Sequence, residues 1–240
     1  NVTTLSIKDS TNNIQNNISS LISNNSKISS ITRTNSASVI TVDDKNYLLA
    51  NASNGLFSKM KTSLGGTDNM AGLVNVTGVA ASDAATRATS TDTKINKISV
   101  ADSLSNILAN AASLKNNTGK ISFVNTKGVL TATMTAAQYS TFRTDHTELI
   151  GKIANSQNPN ALNKAFVITD ATIADSTTTG FLGADSRVRS INVKDTADSA
   201  TKRLPAPNLL SSKINQVDLT FASADPNASV DYQKNLDVMV

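Results

Sequence analysis

Apolar residues recur along this chain in a short pattern, in which two of them are separated by two other positions. The pattern occurs five times, at Ile28–Ile31, Ile95–Ile98, Ile121–Val124, Val188–Ile191 and Ile214–Val217. Several copies continue with another apolar residue two positions later, such as Val100, Val193 and Leu219. Short runs of β-branched residues between polar residues favour strands. We therefore expect strands to begin at these five places, with two further starts at Val74 and Val167.

The pattern belongs to a longer repeat. Ile98 lies 93 positions after Leu5, and Ile191 lies 93 positions after Ile98; the three residues open the similar strings LSIKDS, ISVADS and INVKDT. Residues 5–31 and 98–124 are identical at 12 of 27 positions, where chance would give roughly three. The sequence therefore divides into repeat unit 1 (residues 1–97), repeat unit 2 (98–190) and a partial repeat unit 3 (191–240). Because it stops inside a repeat, we expect a piece of a longer protein.

The spacing of the strand starts predicts the architecture. Steps of 21 and 26 residues separate Val74, Ile95 and Ile121, and the same steps separate Val167, Val188 and Ile214. Short strands at such intervals, joined by helical segments, are typical of parallel strands in solenoids. The predicted fold class is α/β: a repetitive, solenoid-like stack of short parallel strands with intervening short helices and loops.

Helical spacing occupies the intervals between the strands. In the first interval, one apolar face consists of Ile14, Ile18 and Leu21, and its counterpart consists of Ile107, Ala111 and Leu114. A later helix follows a three-four spacing through Tyr139, Phe142, His146, Leu149 and Ile153. Thr135 and Gln138 have the spacing of a capping box at its start.

Two segments modify this helical plan. The counterpart of the later helix in repeat unit 1 is expected from about Asp43 to Met60, with Tyr47, Leu48 and Phe57 among its apolar residues. In repeat unit 3, Pro205 and Pro207 fall where the first helix would be. Proline costs about 3 kcal/mol inside a helix, so we expect this helix to be broken or replaced by a loop.

Composition narrows the function classes. The chain has no cysteine, which excludes disulfides, thiol catalysis and zinc-finger sites. The net charge is only +4 over 240 residues, and no basic cluster resembles a nucleic-acid-binding surface. No apolar run approaches the roughly 18 residues of a membrane span. His146 is the only histidine, and its place on an apolar helical face favours a half-buried structural role. We predict no catalytic residues.

Aspartates end three of the predicted strands at equivalent repeat positions: Asp9, Asp102 and Asp195. The favoured interpretation is helix N-capping, because a carboxylate accepts hydrogen bonds from the free N–H groups of a first turn. The alternative is Ca²⁺, which binds several oxygen ligands. Secondary calcium candidates are Asp43, Asp44 and Asp68. Calcium is the only cofactor that the sequence suggests, and no EF-hand loop or glycine-rich calcium nonapeptide accompanies these residues.

Four strings carry a resemblance to a known kind of repeat: IKDSTNNI, VADSLSNI, VKDTADSA and TMTAAQY. They are similar to repeats of large bacterial surface proteins exported by type I secretion, which include S-layer proteins and giant RTX-type adhesins. The resemblance implies a secreted, cysteine-poor array or stalk on the cell surface. It carries over no catalytic residue.

Three functions follow, in order of preference. The first is a non-catalytic extracellular structural protein, a repeat segment of a bacterial surface layer or surface fibre that self-associates. The second is a ligand-binding segment of a large secreted adhesin. The third is a polysaccharide-active enzyme on a solenoid, which would need clustered Arg, Lys, His or Asp residues on one face; no such cluster is evident. The slight positive charge favours acidic cell-surface polysaccharide as a partner, with binding that weakens in salt.

Overall fold

A computed structural model describes residues 4–35, 37–62, 66–68, 70–89, 92–128, 130–154, 162–197 and 211–221. The chain forms two compact units, the first comprising Asn1–Lys127 and Gly151–Gln157, the second Gly128–Ile150 and Asn158–Val240. The class is α/β, as predicted, with three sheets of parallel strands. In the described part of the chain, no helix is both long and apolar enough to cross a membrane.

The first compact unit contains two sheets. Its elements are β1 (Leu5–Asp9), α1 (Thr11–Asn16), α2 (Ile18–Ser23), β2 (Ile28–Arg33), β3 (Ile40–Asp43), α3 (Asp44–Asn51), β4 (Met60–Lys61), β5 (Val74–Val79), α4 (Ala81–Thr89), β6 (Ile95–Ser103), α5 (Leu104–Ala109), α6 (Ala111–Lys115) and β7 (Ile121–Lys127). One sheet has the order β1-β2-β4, and the other has the order β3-β5-β6-β7. All neighbouring strands in both sheets are parallel.

The second compact unit contains one sheet of four parallel strands, in the order β8-β9-β10-β11. Along this part of the chain lie β8 (Ala132–Thr135), α7 (Ala136–Asp145), α8 (Thr147–Ala154), β9 (Phe166–Ala171), β10 (Val188–Ala197) and β11 (Ile214–Phe221). The last four residues of α8 belong to the first compact unit. Pro205 and Pro207, where we expect the helix to break, lie outside the described residues.

The predicted strand starts are confirmed. Strands β2, β6, β7, β10 and β11 begin at Ile28, Ile95, Ile121, Val188 and Ile214. Strand β5 begins at Val74, and β9 begins one residue before Val167. The four-residue strands β3 and β8 were not predicted, because each contains only two apolar residues.

Bulges explain the three-residue spacing of apolar positions at the strand starts. Between Leu5 and Ser6 of β1, the partner in β2 moves from Ile28 to Ser30, so Ser29 is an extra residue. The extra residue shifts the alternation of side chains. Ile28 and Ile31 consequently share the buried face, with 3% and 0% exposure. Equivalent extra residues in the other sheets are Asn96, Ser122, Arg189 and Asn215.

All five extra residues are polar, and four of them bond to the neighbouring strand. Ser122 Oγ donates to the Ile98 carbonyl at 3.0 Å, and Ser29 Oγ donates to the Leu5 carbonyl at the same distance. Asn96 Nδ2 donates to Asn75 Oδ1 at 3.1 Å. At these three bulges, two apolar side chains therefore enter the core while the polar extra residue links adjacent strands.

The two four-stranded sheets are structural repeats. Strands β3, β5, β6 and β7 correspond in order to β8, β9, β10 and β11, displaced along the sequence by 92 or 93 positions. Even a left-handed backbone position recurs, at Gly78 (φ 73°) and Asp170 (φ 54°). The boundary at Lys97/Ile98 falls inside β6, and the boundary at Ser190/Ile191 falls inside β10. Each four-stranded sheet therefore combines the second half of one repeat unit with the start of the next.

The first-interval helices differ from the prediction in one respect. Each is divided into two short helices, at Asn17 and at Asn110, where φ is near −107° in both cases (−108° and −106°). The side-chain amide of Asn17 donates to the Asn13 carbonyl one turn earlier, at 2.9 Å, and Asn110 does the same with Asn106. Such local side-chain bonds compete with regular helix geometry. The predicted apolar faces are nevertheless buried, except at Leu21, which is partly exposed.

The later helices also end earlier than expected. The predicted capping box of Thr135 and Gln138 is confirmed, but α7 ends at Asp145, and α8 follows after His146. In repeat unit 1, α3 ends at Asn51 instead of continuing towards Met60. A Cβ atom on Gly55 would lie 2.4 Å from the Ala50 carbonyl oxygen, so the chain turns there in a way that only glycine allows.

The apolar residues expected in this helix are not all buried. Tyr47, Phe57 and Met60 are buried, but Leu48 is 48% exposed and the adjacent Leu49 is 50% exposed. Because the helix stops at Asn51, its buried face is set by Tyr47 and Ala50, and Leu48 lies outside it.

Candidate functional site

Asp102, at the end of β6, joins two consecutive helical segments. Its Oδ1 accepts hydrogen bonds from the Ser103 N–H and the Asn106 side chain, both at 2.8 Å. Its Oδ2 accepts from the N–H of Ala81, the first residue of α4, at 2.9 Å. Partial burial raises the pKa of Asp102, but these hydrogen bonds outweigh burial and keep the pKa below its ordinary value.

The N-capping prediction therefore needs a correction. The N-cap of α5 is Ser103, whose hydroxyl accepts from the Asn106 N–H, and the N-cap of α1 is Ser10. Asp9 supports Ser10 and Asn13 as Asp102 supports Ser103 and Asn106. Asp9 and Asp102 each lie one residue before the N-cap of the helix that follows. Asp102 instead accepts a hydrogen bond from the first residue of the preceding helix, α4.

Asp195 repeats the backward contact of Asp102. Its Oδ2 accepts from the Ile173 N–H at 3.1 Å, just before the short 3₁₀ helix Ala174–Ser176 that replaces α4 in the second compact unit. Asp102 and Asp195 thus share one structural task, which is to hold the chain that leaves the neighbouring strand.

Replacing Asp102 by alanine should lower the free energy of unfolding by about 2 kcal/mol, because two backbone N–H groups lose their acceptor. Asp102→Asn retains one acceptor oxygen, so its free energy of unfolding should lie between those of the parent and of Asp102→Ala. The matched control is Asp9→Ala, where only the forward contacts exist among described residues, with an expected loss of about 1 kcal/mol. Urea unfolding followed by circular dichroism measures all three. Equal losses for Asp9→Ala and Asp102→Ala would contradict the role of the Ala81 contact.

The secondary calcium candidates are also engaged by protein groups. Asp43 is the N-cap of α3 and accepts from Asn46. Asp44 pairs with Arg87, with Oδ1 2.6 Å from Nε. Asp68 pairs with the buried Arg33. Within the described ranges, no three His, Cys, Asp or Glu residues are grouped so that they could hold a metal ion.

A tyrosine–aspartate pair recurs in both four-stranded sheets. Tyr139 of α7 donates its hydroxyl hydrogen to Asp185 Oδ2 at 2.6 Å, and Tyr47 of α3 makes the equivalent hydrogen bond to Asp92. A basic residue two positions later completes each cluster: Arg187 Nη2 lies 2.6 Å from Asp185, and Lys94 Nζ lies 3.1 Å from Asp92. Each cluster fixes a helix against the turn that leads into a central strand.

Burial and hydrogen bonding displace the pKa values in these clusters. Burial, together with the acceptor carboxylate, raises the pKa of Tyr47 and of Tyr139 far above the ordinary tyrosine value. Burial also raises the pKa of Asp185, but hydrogen bonds from Arg187 and Tyr139 outweigh it and bring the pKa to about 2. Burial likewise raises the pKa of Asp92, but hydrogen bonds from Tyr47 and Lys94 outweigh it, so this pKa also lies below its ordinary value.

Acid should weaken the second compact unit through Asp185. The folded-state pKa of about 2 lies below the ordinary 3.8, so the carboxylate stabilises the fold above pH 4 and loses this contribution as the pH falls towards 2. The shift corresponds to about 2 kcal/mol. We expect Asp185→Asn to be less stable than the parent at pH 7 and to approach it at pH 2, measured by urea unfolding across this range. A stability gap that does not change with pH would be the opposite result.

His146 has the half-buried position that the sequence predicts. Its ring stacks on Phe142, with centroids 5.6 Å apart, and its Nδ1 is buried without a hydrogen-bond partner in the described structure. No acidic or thiol partner approaches it there, so it has the surroundings of a packing residue.

A shallow polar cleft of about 470 Å³ lies beside the start of β6 and β7 in the first compact unit. Its lining residues are Asn96, Lys97, Asn116, Asn117, Gly119 and Lys120. Lys97 Nζ donates to the Gly119 carbonyl at 2.6 Å, and Lys120 Nζ donates to the Ile95 carbonyl at 3.0 Å. Each ammonium group has three N–H bonds, so both lysines can also donate to a ligand. Lys120 recurs as Lys27 and Lys213, whereas the positions equivalent to Lys97 hold Thr4 and Ser190.

Sequence reasoning missed both the tyrosine–aspartate clusters and the cleft. The only available signal for the clusters was the joint recurrence of Tyr47 with Tyr139 and of Asp92 with Asp185 at nearly the same displacement. No known protein family, curated protein or solved structure matches this chain.

Proposed function

We propose that this chain is a repeat segment of a non-catalytic extracellular structural protein, which self-associates in a bacterial surface layer or surface fibre. The observation that carries the proposal is the duplication of one sheet plan, with the same strand order, the same bulges and the same tyrosine–aspartate cluster. Duplication of a whole sheet repeats the same surface along the chain, which suits a structural protein that makes the same contact many times. In the proposed array, the sheets continue as a solenoid-like stack.

The distribution of perturbed groups supports a non-catalytic role. Strongly shifted pKa values are a common sign of an active site. Here the large shifts belong to Tyr47, Tyr139 and Asp185, which lie in clusters that recur and that fix helices to strands. The single histidine stacks on Phe142.

Strand edges without a partner strand among the described residues support self-association. Strand β1 is at one edge of its sheet and β11 is at one edge of another. Backbone N–H and C=O groups along such edges can pair with another strand. Repeated weak contacts of this kind strengthen one another in an array. The extracellular location and type I export rest on the resemblance of the repeat strings, and the absence of cysteine is compatible with them.

Electron microscopy of the purified protein tests the proposal. We expect regular sheets or filaments at high concentration, with or without added envelope polysaccharide. A control separates ordered assembly from hydrophobic aggregation: Leu48→Ser with Leu49→Thr places the residues of α7, Ser140 and Thr141, at the exposed pair in α3. This variant should assemble as the parent does. A parent protein that stays monodisperse at all concentrations would exclude the array.

The polar cleft favours a second candidate, the ligand-binding segment of an adhesin. Lys97 and Lys120 with three asparagines suit the hydroxyl and carboxylate groups of an acidic saccharide. Alginate or polygalacturonate, titrated into the protein at several salt concentrations, tests this candidate. A monomeric protein whose binding weakens with salt and is lost in Lys97→Gln would favour the adhesin over the layer.

A further inference from the structure

Strand β1 lacks a neighbour that its structural equivalents possess. In the complete sheets, β6 lies between β5 and β7, and β10 lies between β9 and β11. Strand β1 corresponds to β6 and β10, but among the described residues it pairs only with β2. The edge of β1 that faces away from β2 is therefore the position that β5 or β9 occupies elsewhere.

Exposure of apolar residues marks the same gap. Leu5 is 49% exposed, whereas its equivalents Ile98 and Ile191 are 0% exposed. Ile7 is partly exposed, whereas its equivalent Val100 is 0% exposed. The helix beside β1 shows the same difference: Leu21 of α2 is partly exposed, although its equivalent Leu114 is fully buried. In the complete sheet, β5 and α4 cover these positions.

The Asp9 carboxylate is the third sign. Asp102 and Asp195 each use Oδ2 to accept from the chain that leaves the neighbouring strand, at the N–H groups of Ala81 and Ile173. Asp9 uses Oδ1 for Ser10 and Asn13 in the same way as Asp102. Its Oδ2 has no donor among the described residues, so the acceptor for an incoming helix start is in place.

We propose that the free edge of β1, with the Asp9 carboxylate, is a docking site for a strand-and-helix segment of the type formed by residues 74–89, supplied by another repeat segment. By analogy with β5 on β6, residues equivalent to Val76 and Val79 lie opposite Leu5 and Ile7 in parallel register. The first N–H of the incoming helix donates to Asp9 Oδ2. The contact is strand addition to a sheet edge, and it holds whether the whole protein is a layer or an adhesin.

A peptide of residues 70–89 is the direct probe. Fluorescence anisotropy of the labelled peptide should show saturable one-to-one binding to the full chain. Hydrogen exchange should show new protection in Leu5–Asp9. In a second peptide, Ala81→Pro removes only the donor N–H, because proline is compatible with a first helical position. This peptide should bind about tenfold more weakly.

Protein variants complete a double-mutant cycle between Asp9 of the protein and Ala81 of the peptide. Asp9→Ala should weaken the parent peptide about tenfold and should not weaken the Ala81→Pro peptide further, since both changes remove one hydrogen bond. Asp195→Ala, in the other sheet, is the matched control and should bind like the parent. If Asp9→Ala fails to fold, the two peptides still give the comparison on the parent chain.

Three results would overturn the proposal. The first is the absence of saturable binding by the parent peptide. The second is equal binding by the parent and Ala81→Pro peptides. The third is self-association of the chain that protects Leu5–Asp9 and is not displaced by the 70–89 peptide, because a segment of another kind would then occupy the edge.

Discussion

Replacing Asp68 by alanine is expected to cost about 3–5 kcal/mol of unfolding free energy, because it leaves a buried guanidinium without its counter-charge. Arg33 is 0% exposed, and its Nη2 lies 2.6 Å from Asp68 Oδ2. Arg33 Nε donates to the same oxygen at 2.7 Å, and the Met70 N–H donates to Oδ1 at 3.0 Å. The loss should appear in urea unfolding, and hydrogen exchange should increase first in β2.

The control for this prediction removes both charges. Arg33 lies on β2 at a position where the equivalent strands β7 and β11 carry the uncharged residues Thr126 and Leu219. Arg33→Met with Asp68→Ala should therefore be markedly less harmful than Asp68→Ala alone. If the single and the double substitution cost the same, the penalty does not arise from the unpaired charge.

Replacing Phe166 by alanine should cost the second compact unit a similar amount, about 3–5 kcal/mol, because a large cavity opens beneath α7. Phe166 is 0% exposed. Its ring centroid lies 5.2 Å from that of Tyr139 and 5.8 Å from that of Phe142. Thermal and urea unfolding measure the loss, and faster hydrogen exchange in α7 and β9 would localise it.

Two further substitutions calibrate the size of that effect. Phe166→Leu retains most of the volume and should cost less than about 1.5 kcal/mol. Val74→Ala at the equivalent position of β5 removes fewer atoms, so its loss of unfolding free energy should be much smaller than that of Phe166→Ala. An alanine variant as stable as the leucine variant would show that the aromatic cluster does not support α7.

The strand starts could be predicted from the sequence because a bulge leaves a local signature. Ile95 and Ile98 are both buried, and the three-residue step between them is visible without any knowledge of the partner strand. The break at Asn110 could not be predicted in this way. Its cause is one side-chain hydrogen bond to Asn106, and the apolar spacing of Ile107 and Leu114 continues unchanged across it.

The candidate sites were less predictable than the fold. Tyr139 and Asp185 are 46 positions apart, and only the three-dimensional crossover brings them together. The strand-end aspartates were visible in the repeat, but their partner Ala81 lies earlier in the chain by 21 positions. Local rules for N-caps consider only the helix that follows a residue, so they assigned Asp102 to α5, whereas it accepts a hydrogen bond from the start of α4.

The offset between sequence repeats and sheets has a consequence for how such a gene can be cut and rejoined. A deletion of residues 98–190 joins Lys97 directly to Ile191, and therefore joins the first three residues of β6 to the last seven residues of β10. Because these two strands are equivalents, the joint regenerates one intact strand with its bulge and its strand-end aspartate. Recombination within the codons of this strand can thus remove or add a repeat unit, and each four-stranded sheet of the product keeps all its strands.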